Sequence, residues 1–245
     1  MLGRFAGASN ATFLCRVGDH DAPDLVRVAA DGNLVLAPGA GDHLAVYKPH
    51  AGEAPLWDFP DAALYKREVA AYELAVALGW DAVPLTVVRD GPHGIGAVQR
   101  YVEHDPHRHY FALLEEASPA IIGQLRRMVV FDLLVNNADR KGGHVLVDTD
   151  DHVWLVDHGV TFHFELKLRT VAWEFALEPV PQALRSAARS LARQLRTGIG
   201  GLRDRLEDLL TAVEVDALQE RAEQVADLER FPEPTGPRPY PWPLL

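Results

Sequence analysis

One stretch constrains the fold more than any other: a long amphipathic run, a polar loop and a tight hairpin follow one another between residues 118 and 159. Over residues 118–135, Ile121, Ile122, Leu125, Met128, Val129 and Leu133 recur at three- to four-residue spacing, which predicts a helix with one buried face. Two short apolar segments follow, His144-Val145-Leu146-Val147 and Val153-Trp154-Leu155-Val156. The residues between them, Asp148-Thr149-Asp150-Asp151, have turn chemistry, so the pair reads as a hairpin. The loop before the hairpin holds Asp139-Arg140-Lys141-Gly142-Gly143, and the hairpin leads into Asp157-His158-Gly159.

The remainder of the chain arranges itself around that stretch. The first 50 residues read as strands and turns: Phe13 to Val17 is short and largely apolar, and Asp31-Gly32-Asn33 is a turn signal. Leu44-Ala45-Val46-Tyr47-Lys48 reads as the next strand, and Pro49 is expected to end its regular pairing. Residues 61–79 predict a helix, with Asp61 as N-cap and Gly79 as the stop. Val87-Val88 and Ile95 to Val102 predict strands around the loop Arg89-Asp90-Gly91-Pro92-His93-Gly94. Residues 183–230 are expected to be helical, with Gly198 to Gly201 breaking them into two helices. The tail from Phe231 to Leu245 carries Pro232, Pro234, Pro237, Pro239, Pro241 and Pro243, so it is expected to be extended, with Tyr240 and Trp242 packing it on the body.

Composition sets outer limits. A chain of 245 residues that is 48% apolar can bury a core, as one large domain or two small lobes. The formal net charge of −11 argues against a nucleic-acid partner. The single cysteine, Cys15, excludes internal disulfides and cysteine-based metal sites, and fits a cytoplasmic location. No apolar run reaches the ~18–20 residues of a membrane span, and Met1 to Gly7 lacks the basic-then-apolar order of a signal peptide. His104, His107 and His109 cluster around Pro106 without a second ligand set, which reads as a polar loop in preference to a zinc site.

Asp139 and Asp157 carry the chemical signal. Phosphoryl transfer requires a carboxylate to orient the nucleophile and take its proton, ligands for Mg²⁺, and cations on the phosphates. An Asp-Arg dipeptide, Asp139-Arg140, with His144 five positions after the Asp and a hairpin leading to Asp157-His158-Gly159, resembles the phosphatidylinositol 3-/4-kinase-like family. Phe131-Asp132-Leu133-Leu134-Val135-Asn136-Asn137 is similar to the helix end before that family's loop, which bacterial toxin-type serine kinases share. The resemblance covers residues 125–163 well, 44–103 less, and fades beyond 175.

The resemblance implies a protein-kinase-like two-lobed α+β fold. The small antiparallel β-rich N-lobe would span residues 1–103 and the larger helical C-lobe 104–245. It implies ATP and Mg²⁺ as cofactors, with Asp139 as the residue that orients the acceptor hydroxyl and Asp157 as the metal bridge. Arg140 or Lys141 would neutralise charge on the transferring phosphoryl group. The family usually has Asn where this chain has His144, and imidazole is a less typical Mg²⁺ ligand than oxygen. Three readings follow: His144 ligates the metal, with Mn²⁺ tolerated; Asp157 does nearly all the work; or the chain is a degraded kinase that only binds nucleotide.

On the nucleotide side, Lys48 ends an apolar strand and is the candidate cation for the α/β-phosphates, or else a solvated strand end. Its partner would be Glu68 on the helix, with Glu73 as competitor; a buried carboxylate requires a cation, and the toxin-type kinase helix, similar to residues 68–84, favours Glu68. Gly7-Ala8-Ser9-Asn10-Ala11-Thr12 is the candidate phosphate-cradling loop, in which Ser9, Asn10 and Thr12 add polar groups to backbone N–H donors. Gln99 to Val102, with Gln99 and Tyr101, lies where a connector would offer backbone groups to adenine, or is an ordinary strand end. Lys167 and Arg169 either recognise an anionic acceptor or form a solvated face. The function expected is transfer of a γ-phosphoryl group to a hydroxyl of a protein, of the chain itself or of a small molecule. A nucleotide-binding pseudokinase acting through a protein partner and an AMP-transferase are the alternatives.

Overall fold

The structure, a computed structural model, describes residues 1–5, 10–18, 26–28, 34–36, 43–54, 56, 59 and 63–245. Asp31-Gly32-Asn33, Gly7 to Ser9 and Asp61 fall outside them.

The chain is α+β. Five antiparallel strands, β1 (Gly3–Arg4), β2 (Phe13–Arg16), β5 (Leu44–Pro49), β6 (Thr86–Gly91) and β7 (Gly94–Arg100), form one sheet in the order β1-β2-β5-β7-β6. A separate hairpin, β3 (Val26–Val28) with β4 (Leu34–Leu36), lies between β2 and β5 in sequence. Strand β5 is central, with Leu14 opposite Val46 on one side and Ala97 opposite Lys48 on the other. Pro49 is its last residue and still lies opposite Gly96. That crossing is tight: a Cβ on Gly96 would stand 2.4 Å from the Lys48 carbonyl oxygen and 2.6 Å from Pro49 Cα. Only glycine lets β7 pass the lysine-bearing end of β5 at this distance.

Helix α1 (Leu64–Ala77) follows the sheet's central strand. Its first turn is capped from outside, because Tyr65 N–H donates to Glu53 Oε1 at 2.7 Å. It ends at Gly79, whose φ of +67° suits glycine and lets the Trp80 N–H return to the Ala75 carbonyl. One face of α1 (Ala70, Ala71, Leu74, Ala75) joins the large buried core. Tyr65 and Val69 pack instead on Ala97 of β7. The helix thus lies between the sheet and everything after it.

After β7 come α2 (Tyr110–Glu116) and α3 (Pro119–Val135), the latter at the position its periodicity predicts. Hairpin β8 (Val145–Val147) and β9 (Val153–Leu155) follows, with His144 in the preceding 3-10 turn, Gly142–His144. The expected strand therefore starts one residue later than its apolar pattern suggests. The C-terminal helices number three, not two: α4 (Gln182–Thr197), α5 (Leu202–Glu207) and α6 (Ala212–Asp227). Thr211 makes the second break by forming a capping box with Glu214. Together α1, α3, the hairpin and α4–α6 share one core. The sheet-rich first part and helical second part are compatible with a two-lobed arrangement.

The proline-rich tail is extended and packed on the body; Phe231 enters the core beside Phe175, but the expected rings, Tyr240 and Trp242, stay exposed. Trp242 is 87% exposed. Carbonyls hold the tail instead: Pro239 O accepts from Thr170 N–H at 3.1 Å and from the Trp173 indole N–H at 3.0 Å, and Leu244 O accepts from Gly142 N–H at 2.7 Å. Among the described residues, no helix is long and apolar enough to cross a membrane.

Candidate functional site

The site begins where α3 stops. Asn136 caps the helix in the left-handed region (φ +52°), a conformation that Asn tolerates better than most residues. Its buried amide donates to the His163 and Glu165 carbonyls and accepts from Lys167 N–H. Asn137, fully buried, donates to Asp132 Oδ1 and accepts from Asp139 N–H at 2.9 Å. Two buried amides therefore fix the backbone on which Asp139 is presented. The Asp139 carboxylate faces Lys141 Nζ at 3.2 Å. Burial pushes its pKa up and Lys141 pulls the other way, so Asp139 is a stronger base than an ordinary aspartate.

Arg140 does not fit the role of a phosphoryl-neutralising cation. Its side chain is completely buried and pairs with Asp132 through Nε and Nη2, at 2.9 to 3.1 Å. Nη1 donates to the Val156 carbonyl at 2.9 Å, and Nη2 lies 2.8 Å from His158 Nε2. Guanidinium is donor only, so His158 Nε2 accepts and the ring is neutral; burial and then Arg140 hold its pKa well below the usual range. Arg140 thereby ties α3 to the hairpin exit on which Asp157 sits. Lys141 is the residue of the two that reaches the Asp139 carboxylate.

Asp157 adopts φ +61°, an uncommon conformation for a side chain without a local reason to be there. Its Oδ1 accepts from Lys48 Nζ at 2.8 Å and its Oδ2 lies 3.3 Å from His144 Nε2. Lys48, then His144, hold its pKa below the carboxylate range against the effect of burial. Lys48 also makes a close ion pair with Glu68 Oε1. Burial alone would lower the Lys48 pKa, but Asp157 and Glu68 outweigh it and hold the ammonium protonated. Glu68 is buried, and its Oε2 accepts from His158 N–H at 3.0 Å, so one carboxylate holds both the lysine and the backbone after Asp157. Glu73, the competitor, is taken by Arg205 at 2.9 Å. Gly159 follows against α1, where a Cβ would stand in ordinary contact with Leu64 Cβ at 3.4 Å and Glu68 Oε1 at 3.6 Å.

Two adjoining cavities open on this cluster. The smaller, about 60 Å³, is lined by Asn10, Thr12, Lys48, Glu68 and Asp157 among others. The larger, about 240 Å³, is lined by Asn10, Asp139, Asp157, Val160 and Arg169 among others. They share Asn10, Leu64, Asp157 and Gly159. Asn10 and Thr12 thus face the cluster, with Asn10 Oδ1 accepting from Ala54 N–H at 2.8 Å. Ser9 lies outside the described residues.

Gln99 and Tyr101 are elsewhere. The Gln99 amide is buried and donates to Thr86 Oγ1 at 2.8 Å, and Tyr101 N–H donates to the Leu44 carbonyl at 3.0 Å. The sheet uses these groups, and neither residue lines the two cavities. Arg169 is the site residue whose sequence signal was ambiguous: only the fold brings it beside Asp139.

Among the described residues, no group of three or more His, Cys, Asp or Glu is arranged to hold a metal. Asp157 fits Mg²⁺, which needs one or two carboxylates and takes its other ligands from water and phosphate. His144 fits less well. Its Nδ1 accepts from Lys141 N–H, which puts the ring hydrogen on Nε2, facing Asp157. Burial pulls its pKa down to about 4, so the ring is neutral at neutral pH, and in this tautomer Nε2, 3.3 Å from Asp157 Oδ2, carries the hydrogen and leaves no lone pair for a metal.

No protein-family model matches the chain. Protein Rv2133c of Mycobacterium tuberculosis is 39% identical over 276 aligned positions, which take in all of this chain and 91% of that protein. With that identity sustained end to end, the chain belongs to the family of Rv2133c.

Proposed function

We propose that the chain is an ATP-dependent phosphotransferase of protein-kinase-like fold, with residues 1–103 as the nucleotide-gripping lobe and 104–245 as the catalytic lobe. One observation carries the reading: Lys48, Glu68 and Asp157 converge on one cavity, and Asp139 faces the cavity next to it. These groups come from a central strand, the helix behind it, a loop after a helix and the exit of a hairpin. That is the order of parts phosphoryl transfer uses. The sheet order, with one helix between β5 and β6, supports the same reading.

Lys48 is held charged by two carboxylates and supplies the cation for the nucleotide's phosphates. Glu68 fixes the position of Lys48. Bound at Asp157, Mg²⁺ would supply charge neutralisation for the phosphates. Asp139 accepts the proton of the acceptor hydroxyl while that oxygen bonds to the γ-phosphorus and the bond to the ADP oxygen breaks. Lys141 beside Asp139 offsets negative charge gathering on the transferring group. The single cysteine fits the cytoplasm, where ATP is made.

The His144 tautomer favours a second reading, a nucleotide-binding pseudokinase, because it removes one potential metal ligand. Incubation with γ-labelled and α-labelled ATP, with Mg²⁺ or Mn²⁺, separates the possibilities. Label passing from the γ position to protein or acceptor is the expected result. Label passing only from the α position means AMP transfer, and saturable binding with no transfer means a pseudokinase; either overturns the proposal.

A further inference from the structure

We infer that Arg169 is an acceptor-recognition residue, and that the acceptor is a small hydroxy compound carrying a phosphate or carboxylate group. This rests on the phosphotransferase reading and adds the substrate class to it.

The two cavities divide the work. Lys48, Glu68 and Thr12 line the smaller one and not the larger, whereas Asp139 and Arg169 line the larger one and not the smaller. Asp157 belongs to both. If phosphates lie against Lys48, the space on the Asp139 side is where a hydroxyl acceptor sits. Arg169 therefore faces the acceptor and not the nucleotide.

The cations around the site are otherwise occupied. Lys48 is held by Glu68 and Asp157, Lys141 by Asp139, Lys167 by Glu165, Arg67 by Glu214 and Arg140 by Asp132. The Arg169 guanidinium makes no hydrogen bond or ion pair among the described residues. In a chain of net charge −11, a half-buried arginine that has Asp139 nearby but forms no ion pair with it is poised for an anion from outside. Its backbone is pinned on both sides, with Arg169 N–H donating to the Asn137 carbonyl at 2.9 Å and Arg140 N–H donating to the Arg169 carbonyl at 3.0 Å. The side chain thus projects from a segment bonded to the loop that presents Asp139. A guanidinium fork matches the paired oxygens of phosphate or carboxylate. About 240 Å³ suits a small molecule, and Leu56, Phe59, Ala138 and Val160 give it an apolar wall.

Arginine labelling by phenylglyoxal, read at the Arg169 peptide by mass spectrometry, tests this on the full chain with a non-hydrolysable ATP analogue and Mg²⁺ present. Arg193, exposed on α4 and away from the cavity, is the internal control. With analogue alone, Arg169 should stay reactive. Inorganic phosphate or glycerol 3-phosphate, each at about ten times its dissociation constant, should slow Arg169 labelling about tenfold, with Arg193 unaffected and glycerol without effect. Protection by phosphatidylinositol vesicles but not phosphatidylcholine vesicles, with no protection by the soluble anions, would assign the same anion chemistry to a lipid headgroup and overturn the small-molecule assignment. Protection by the analogue alone would make Arg169 a nucleotide contact and overturn the inference. So would equal protection of Arg169 and Arg193, or no protection by any anion. Equilibrium dialysis of the analogue keeps the two claims apart: failure of the analogue to bind sinks the phosphotransferase reading, while labelling with the anions alone still decides whether Arg169 is an anion site.

Discussion

Asp139 and Arg140 are neighbours in the chain and differ completely in circumstance. Asp139 is presented to a cavity, while Arg140 is sealed inside with Asp132 and His158. Removing one partner of a buried ion pair costs about 3–5 kcal/mol, because the other charge is left unpaired. Arg140→Ala should therefore lose about 10 °C or more in Tm. Asp139→Ala should unfold within about 1 kcal/mol of wild type, since burial already works against its charge. Urea or thermal unfolding of the two variants checks this, and a similar large loss in both would show that Asp139 is also structural. Lys48, Glu68 and Asp157 come together, with Asp139 on the adjoining cavity, and the sequence singled them out through the Asp-Arg and Asp-x-Gly motifs and the kinase-like family those resemble. The direction of Arg140 was not legible, because adjacency to a loop aspartate does not tell which of two side chains turns inward. The bonding of Gln99 and Tyr101 within the sheet was not legible for a related reason: the strand's register decides which groups the sheet consumes, and a lone strand does not reveal its register.

Elements meet at points where one residue decides the fit. Gly96 is such a point, because β7 crosses the Lys48–Pro49 end of β5 with backbone in the way of any side chain. Gly96→Ala should destabilise the protein by about 2 kcal/mol, measurable as a lower urea midpoint with unchanged slope. It should also weaken nucleotide binding by displacing Lys48. The tail is a second such point. Leu244 O accepts from Gly142 N–H, and Leu245 stands over the place a Gly142 Cβ would fill. Deleting residues 237–245 should raise hydrogen exchange at the Gly142 and Thr170 amides while amides in α3 stay protected. Unchanged exchange at Gly142 would mean that its turn holds without the tail. The long helices were readable from spacing alone. The Thr211–Glu214 capping box was also readable, as a Thr-x-x-Glu pattern before an apolar run, and it marks the break that separates α5 from α6. Helix α2 was not, since seven residues are too few for periodicity to distinguish.

At the scale of the whole molecule, α1 joins the sheet to the helical part. Its alanine face lies in the main core, Tyr65 and Val69 meet the sheet, and Glu68 reaches Lys48 from one side and His158 N–H from the other. A ligand bound at Lys48 and Asp157 therefore draws on both parts at once. Binding only to the folded state, it should add about 2.7 kcal/mol of stability at a hundred times its dissociation constant, visible as a raised Tm. In a chain of net charge −11, Lys48 and Arg169 line the two cavities and Lys141 pairs with Asp139 beside them. The measurement that tests the phosphotransferase site most directly is nucleotide binding and γ-phosphoryl transfer, followed side by side in the wild type, Asp157→Ala and Asp139→Ala. Asp157→Ala should abolish metal-dependent binding and with it transfer, whereas Asp139→Ala should keep binding and lose transfer; equal loss of both properties in the two variants would contradict the division of roles between Asp139 and Asp157.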